Sequence, residues 1–217
     1  GNLVNRTISM SNKYFGGVVN NTGVEEDVDA DLKSVVLATP GKVAEKMDKL
    51  RVADAITEIF TMFKRCNKYI DETTPWILAK DDATKPRLET VLYNLIEGIT
   101  IGASLLKPFM PETSEKILAQ LNTTERALED MDTFGKYPSG NKVTETPEIL
   151  FARLDVNEVL EKAEEFKKKN SPVKYPEVEP KEEITIEDFD KIQIRVGEVL
   201  KCEPVKKSKK LLVSQIR

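Results

Sequence analysis

Histidine is missing from all 217 residues, and this absence removes more chemistry than any other feature of the composition. It takes away the commonest general base and every Ser–His or Cys–His nucleophile pair. It also takes away the usual nitrogen ligand of zinc, and Cys66 and Cys202 lack the CxxC spacing that would replace it. Two cysteines so far apart predict free thiols in a reducing compartment. No pair of carboxylates stands out from the solvated charge, so the sequence offers neither a catalytic residue nor a metal site. Long apolar runs are absent too. Nothing approaches the roughly 18 consecutive apolar residues of a membrane-spanning helix, and no charged-then-apolar leader opens the chain, so a cytoplasmic protein is expected. Basic charge is not in excess: 33 Lys and Arg against 37 Asp and Glu leave −4. That excludes a general nucleic-acid sponge but not a local site built from a few cations. Tryptophan occurs once.

What is present is helix-rich: 40% apolar and 32% charged residues, enough for one good core and a smaller unit. Residues 2–15 carry a polar stripe of Asn2, Arg6, Ser9 and Lys13 at helical spacing, and Gly16-Gly17 ends that helix. A second helix is predicted from about Asp29 to Leu37, stopped by Thr39-Pro40-Gly41. The strongest period, Val52, Ile56, Ile59, Phe60, Phe63 and Ile70, marks a third. Asn67 falls on that apolar face and needs hydrogen-bond partners. Pro75 closes the third helix, and a short turn runs from Trp76 to near Lys80. Residues 85–107 form a fourth, with Leu88, Val91, Leu92, Leu95, Ile99 and Leu106 inward. Its Gly98 and Gly102 predict close approach of a neighbouring helix. Pro111 opens a fifth, carrying Ile117, Leu118 and Leu121, and residues 132–149 read as irregular. Asp155 is a candidate N-cap for a charged helix to Lys169, with lysines at its C-terminal end as the dipole favours. A proline-rich, charged linker over 170–183 follows. Then Ile192–Leu200 and Leu211–Ile216 read as strands.

The lone tryptophan sits in Tyr69-Ile70-Asp71-Glu72-Thr73-Thr74-Pro75-Trp76, where a helix runs out. A rigid ring at such a corner suits stacking on an unpaired base. Asn2 and Arg6, four residues apart on one helix face, supply an amide and a guanidinium for base edges and phosphates. On the residues alone, rival readings stay open. Trp76 fits equally a core residue capping the helix, Asn2 and Arg6 a solvated polar stripe, and Asn67 a structural hydrogen bond.

Several stretches keep rare residues in a distinctive register: Gly1-Asn2-Leu3-Val4-Asn5-Arg6-Thr7, Lys13-Tyr14-Phe15-Gly16-Gly17 and Tyr69 through Lys80. Leu106-Lys107-Pro108-Phe109-Met110-Pro111 and Leu150-Phe151-Ala152-Arg153-Leu154-Asp155 add to them. Together they resemble the anticodon-binding helical domain of methionyl-tRNA synthetases over residues 1–168, with 18–50 and 122–148 matching only loosely. The resemblance implies that Asn2, Arg6 and Trp76 read the CAU anticodon of tRNA(Met). The tryptophan would stack on the first anticodon base, and the other two would hydrogen-bond bases. It further implies that the intact enzyme, a methionine–tRNA ligase, charges that tRNA using ATP and methionine.

Ile186-Glu187-Asp188-Phe189-Asp190-Lys191-Ile192, Arg195-Val196-Gly197-Glu198-Val199 and Ser208-Lys209-Lys210-Leu211-Leu212 resemble a second unit. It is the opening of the tRNA-binding oligonucleotide-fold domain that many of these synthetases carry at the C-terminus. That unit implies tRNA binding with little sequence preference, and a homodimer. Lys206, Lys207, Lys209 and Lys210 would meet the RNA backbone, although the family usually has an aspartate where Lys209 stands and a solvated basic loop is the rival reading. Residues 184–217 are too few for a closed five-stranded barrel. Lys206-Lys207-Ser208-Lys209-Lys210 also looks like the Lys-Met-Ser-Lys-Ser loop that such enzymes use on ATP. Its place after the linker, and its second and fifth residues, argue against that role.

The expectation is therefore a mainly α protein with three parts. An anticodon-binding helical bundle spans 1–168, a linker 169–183, and an incomplete β segment of an oligonucleotide-binding barrel 184–217. The chain starts without methionine inside a helix-like pattern and stops inside a strand-like run, so a fragment is expected. No histidine means no His-Ile-Gly-His motif, and no Gly-rich phosphate loop is present. The chain itself is thus expected to bind no ATP, methionine or metal cofactor. The alternative class is a non-catalytic helical scaffold for protein interaction.

Overall fold

A computed structural model describes residues 1–152, 154–170, 180–206 and 210–217. Lys207 and Lys209, named above as backbone contacts, lie outside the described residues, as do Arg153 and 171–179. The chain divides into two compact units, Gly1–Leu154 and Asp155–Arg217.

The first unit is a helical bundle. Helix α1 spans Asn2–Phe15 and stops at the predicted glycine pair. Gly16 takes the left-handed conformation (φ 59), and its N–H donates to Asn12 O. Gly17 (φ 84) has no room for a side chain, because a Cβ there would lie 2.5 Å from Asn12 Oδ1. The chain then enters a two-residue strand, β1 (Val18–Val19), antiparallel to a later one, β2 (Asn141–Lys142).

Helix α2 spans Asp27–Asp48 and departs from the sequence expectation. It runs straight through Pro40 instead of ending before it. A proline inside a helix costs about 3 kcal/mol, but Leu32, Val36, Thr39, Pro40 and Val43 form one buried stripe. Stopping the helix at Leu37 would leave Pro40 and Val43 unburied. Tertiary packing here overrides the local breaker.

Helix α3 spans Val52–Thr73, and its buried face is rotated from the predicted one. Ala55, Ile59, Met62, Cys66, Tyr69 and Ile70 are buried, whereas Val52 and Phe60 are 44% and 46% exposed. Counting only large hydrophobics misplaced the stripe, since alanine and cysteine mark its centre. Burial pushes the Cys66 thiol up to about 12, so it is a core residue rather than a nucleophile. Cys66 and Cys202 are both free. Asn67 is half-buried, and its Nδ2 donates to Phe63 O at 3.0 Å.

Helix α4 (Pro75–Leu78) is a single turn opened by a buried proline, and α5 (Lys85–Leu106) is the buried axis of the unit. The six apolar residues predicted to face inward on α5 are all buried. Its glycines admit α3: a Cβ on Gly102 would lie 2.4 Å from Phe63 Cε1, and one on Gly98 3.2 Å from Cys66 Sγ. Helix α6 (Pro111–Gln120) completes the bundle. The irregular segment beyond it is pinned to α5 by the buried Glu97. That carboxylate accepts from Arg126 NH1 and NH2 (2.8 and 3.0 Å) and from the N–H groups of Gly135, Lys136 and Tyr137.

In the second unit, helix α7 (Val156–Lys169) is capped by Asp155, whose Oδ1 accepts from Asn157 N at 2.8 Å. Helix α8 (Ile186–Asp190) starts with a Thr185–Asp188 capping box. Strands β3 (Val199–Pro204) and β4 (Leu212–Ile216) pair antiparallel. The predicted strand over Ile192–Leu200 thus begins seven residues late. The register sets Val199 opposite Ile216, so residues 192–197 have no partner strand among the described residues and stay unpaired.

Candidate nucleic-acid interface

Helix α1 buries Leu3, Val4, Thr7, Ile8 and Ser11 and turns its other side outward. Burying Thr7 and Ser11 leaves no open polar group, because each hydroxyl donates one turn back, to Leu3 O (2.9 Å) and Thr7 O (3.0 Å). The outward side carries Asn2, Ser9 and Lys13 exposed, with Asn5 and Arg6 half-buried. The polar stripe read from the period is therefore present.

Trp76 reaches this stripe through the corner after α3. Thr74 takes a left-handed conformation (φ 43) that turns the chain, and the buried Pro75 anchors the single turn of α4. Leu78 packs against the core, so Trp76 points outward, 43% exposed. The last turns of α3 are braced by Arg65, which pairs with Asp31 (2.5 Å) and Glu72 (2.9 Å) from two sides. The sole tryptophan is not a core residue.

Arg6, Ser9, Lys13, Tyr14 and Trp76 line one open groove of about 280 Å³, together with Asn5. A planar ring, a guanidinium and an ammonium thus line the same groove. Lys13 Nζ sits over the Tyr14 ring, 5.3 Å from its centroid. Neither Arg6 nor Lys13 has a carboxylate in ion-pair reach among the described residues, whereas Lys33, Lys107 and Lys136 do. In an acidic protein, this groove keeps its cations unspent.

Asn2 does not share the groove. It lines a cavity of about 260 Å³ beside Phe60, Phe63, Lys64 and Asn67. Asn5 connects the two regions, lining both the tryptophan groove and a depression next to Asn2. Sequence reading missed Asn5, although its place three residues after Asn2 put it on the same side of the helix. In the second unit, Lys206 lies two residues after the end of β3 and Lys210 two residues before the start of β4. Among the described residues no cluster of acidic or cysteine side chains could hold a metal ion. No helix of the described residues is long and apolar enough to cross a membrane.

Residues 19–171 match the family model for the anticodon binding domain of methionyl tRNA ligase. This chain belongs to the methionyl-tRNA ligase family. The methionine–tRNA ligase of Clostridium perfringens is 49% identical over 98% of this chain and 33% of its own length. That of Caldanaerobacter subterraneus is 44% identical over 100% and 34%. The apo crystal structure of Mycobacterium tuberculosis methionyl-tRNA synthetase superposes with a TM-score of 0.66 at 31% identity, covering 71% of this chain and 32% of that one. The chain therefore spans about a third of the length of the curated methionine–tRNA ligases it matches. Trp76 lies inside the range matched by the methionyl-tRNA ligase domain, and Asn2 and Arg6 precede it.

Proposed function

We propose that this chain reads the CAU anticodon of tRNA(Met) as the anticodon-binding part of a methionine–tRNA ligase. The observation that carries the proposal is the convergence of Trp76 and Arg6 on one groove whose cations have no carboxylate in ion-pair reach among the described residues. RNA loops are read through splayed bases that stack on aromatic faces while their edges are hydrogen-bonded. Trp76 offers the stacking face for the first anticodon base. Arg6 and Asn2 offer donors and an acceptor to base edges along the same helix.

In the intact ligase this selection would bring the correct tRNA to a catalytic domain that joins methionine to it with ATP. The M. tuberculosis relative, solved with methionyl-adenylate, supports that chemistry for the ligase as a whole. The present chain would supply recognition and no catalytic residue, acting in the cytoplasm where tRNA is charged. Residues 1–168 would form the anticodon-binding domain. Residues 184–217 would open a tRNA-binding oligonucleotide-fold domain, with Lys206 and Lys210, and Lys207 and Lys209 between them, along the RNA backbone. The exposed apolar side chains of Val199, Leu212 and Ile216 on the hairpin support a homodimer contact there. The test is binding of a CAU-bearing anticodon stem-loop to wild type and Trp76→Ala.

A further inference from the structure

The ring of Trp76 makes no hydrogen bond or ion pair among the described residues. Its direction is inherited from the backbone of α4, a single turn of four residues that is too short to persist unsupported. The entering end of that turn is fixed by the Thr74 N–H on Ile70 O (3.0 Å) and by the buried Pro75. The leaving end has open acceptors, since the last carbonyls of a helix lack partners within it. One side chain closes it. Thr84 Oγ1 donates to Leu78 O at 2.6 Å, its hydrogen shared with Asp81 O at 2.9 Å.

Thr84 does this from a position where a threonine ordinarily caps the helix that follows. It is the N-cap residue of α5, yet its side chain makes no capping bond there. Asp155 and Thr185, in the same place before α7 and α8, turn forward and accept from Asn157 N (2.8 Å) and Asp188 N (3.3 Å). Pro86 has no N–H to offer at the start of α5, and the Thr84 hydroxyl turns back six residues onto α4 instead. Thr84 is half-buried and does not line the tryptophan groove. We propose that Thr84 is a positioning residue for base stacking: its hydroxyl fastens the α4 turn so that the Trp76 ring faces the Arg6 groove before RNA arrives. The role rests on the anticodon reading and is indirect, because Thr84 acts through Trp76 and not on the RNA. A loose turn would let the ring sample many directions, and ordering it on binding would lower the affinity.

Thr84→Val removes the hydroxyl at nearly constant shape, Thr84→Ala removes it with no added bulk, and Thr84→Ser keeps it. Circular dichroism checks the fold of each. In the free chain, time-resolved fluorescence anisotropy follows the ring of the sole tryptophan. Thr84→Val and Thr84→Ala should depolarise faster, and Thr84→Ser should keep the wild-type decay. Filter binding of a CAU stem-loop should weaken about threefold to tenfold in both hydroxyl-free variants, the scale of one lost hydrogen bond, and not in Thr84→Ser. Added to Trp76→Ala, Thr84→Val should cause no further loss. Unchanged anisotropy, or wild-type RNA binding by the hydroxyl-free variants while Trp76→Ala is impaired, overturns the role of Thr84 and leaves the anticodon reading standing. An equal loss in the Trp76→Ala background also overturns it, because Thr84 then does not act through the ring. Wild-type binding by Trp76→Ala removes the anticodon reading itself, and the inference with it.

Discussion

Arg87 NH1 and NH2 donate to the two carboxylate oxygens of Asp29, each at 2.8 Å, in a buried fork that ties α5 to α2. Tyr69 from α3 donates to the same carboxylate, and Asn94 donates to the tyrosine oxygen at 3.2 Å. Three helices therefore meet on one charge. Burial pushes the Asp29 carboxyl up, but hydrogen bonds from Arg87, Tyr69 and the Glu26 N–H together more than offset it and hold it below the usual range.

A carboxyl with a depressed folded pKa stabilises the protein above its unfolded value, roughly 3.9. That stability is lost as pH falls towards and through the folded value. Asp29→Ala leaves Arg87 buried without its partner and is expected to cost about 3–5 kcal/mol at neutral pH. Asp29→Asn should give an acid limb of stability against pH that is flatter than wild type. Urea denaturation between neutral and acid pH measures both effects.

The glycines of α5 should respond unequally to alanine. At Gly102 the added methyl meets Phe63 and Met62 at 2.4 and 2.5 Å, so overpacking of about 1–3 kcal/mol outweighs the helix-propensity gain of up to about 1 kcal/mol. At Gly98 the nearest atom is the Cys66 sulfur at 3.2 Å, and the change should be smaller. Gly41 in α2 meets nothing within 4 Å, so alanine there should stabilise by about 0.5–1 kcal/mol. Thermal midpoints of the three variants give the order directly.

Base reading and charge attraction can be told apart at Arg6 and Asn2. Substituting either residue by alanine is expected to reduce discrimination between CAU and a changed anticodon by about 1–3 kcal/mol. An Arg6 that meets only phosphate would weaken both stem-loops equally and lower the salt dependence by about one charge. Titrations of two stem-loops at two salt concentrations decide between them.

Local signals were legible in the sequence, and long-range ones were not. Gly16-Gly17 ended α1, Asp155 capped α7, and Gly98 and Gly102 marked the close approach of α3, because each acts through its own backbone or its missing side chain. The continuation of α2 past Pro40 depends on what lies against Pro40 and Val43, which no window of α2 contains. Glu97 joins Arg126 and residues 135–137 across 29 to 40 positions, so nothing near Glu97 announces the pair. At the site, the period of α1 exposed Asn2, Arg6, Ser9 and Lys13. Which of them would share a groove with Trp76 depended on how α3 and α4 pack beside that helix.

Trp76 is the only tryptophan, so intrinsic fluorescence reports on it alone. A CAU stem-loop titrated into the chain should quench that emission saturably, because an unpaired base stacks on the half-exposed ring. Trp76→Ala, followed by an independent binding signal, should lose about 1–3 kcal/mol of affinity for the same RNA while its helical circular dichroism is kept. Quenching by the CAU loop, with much weaker quenching by a loop of changed anticodon, is the result the account predicts. Binding of the CAU loop with unchanged emission and equal affinity for Trp76→Ala would contradict it.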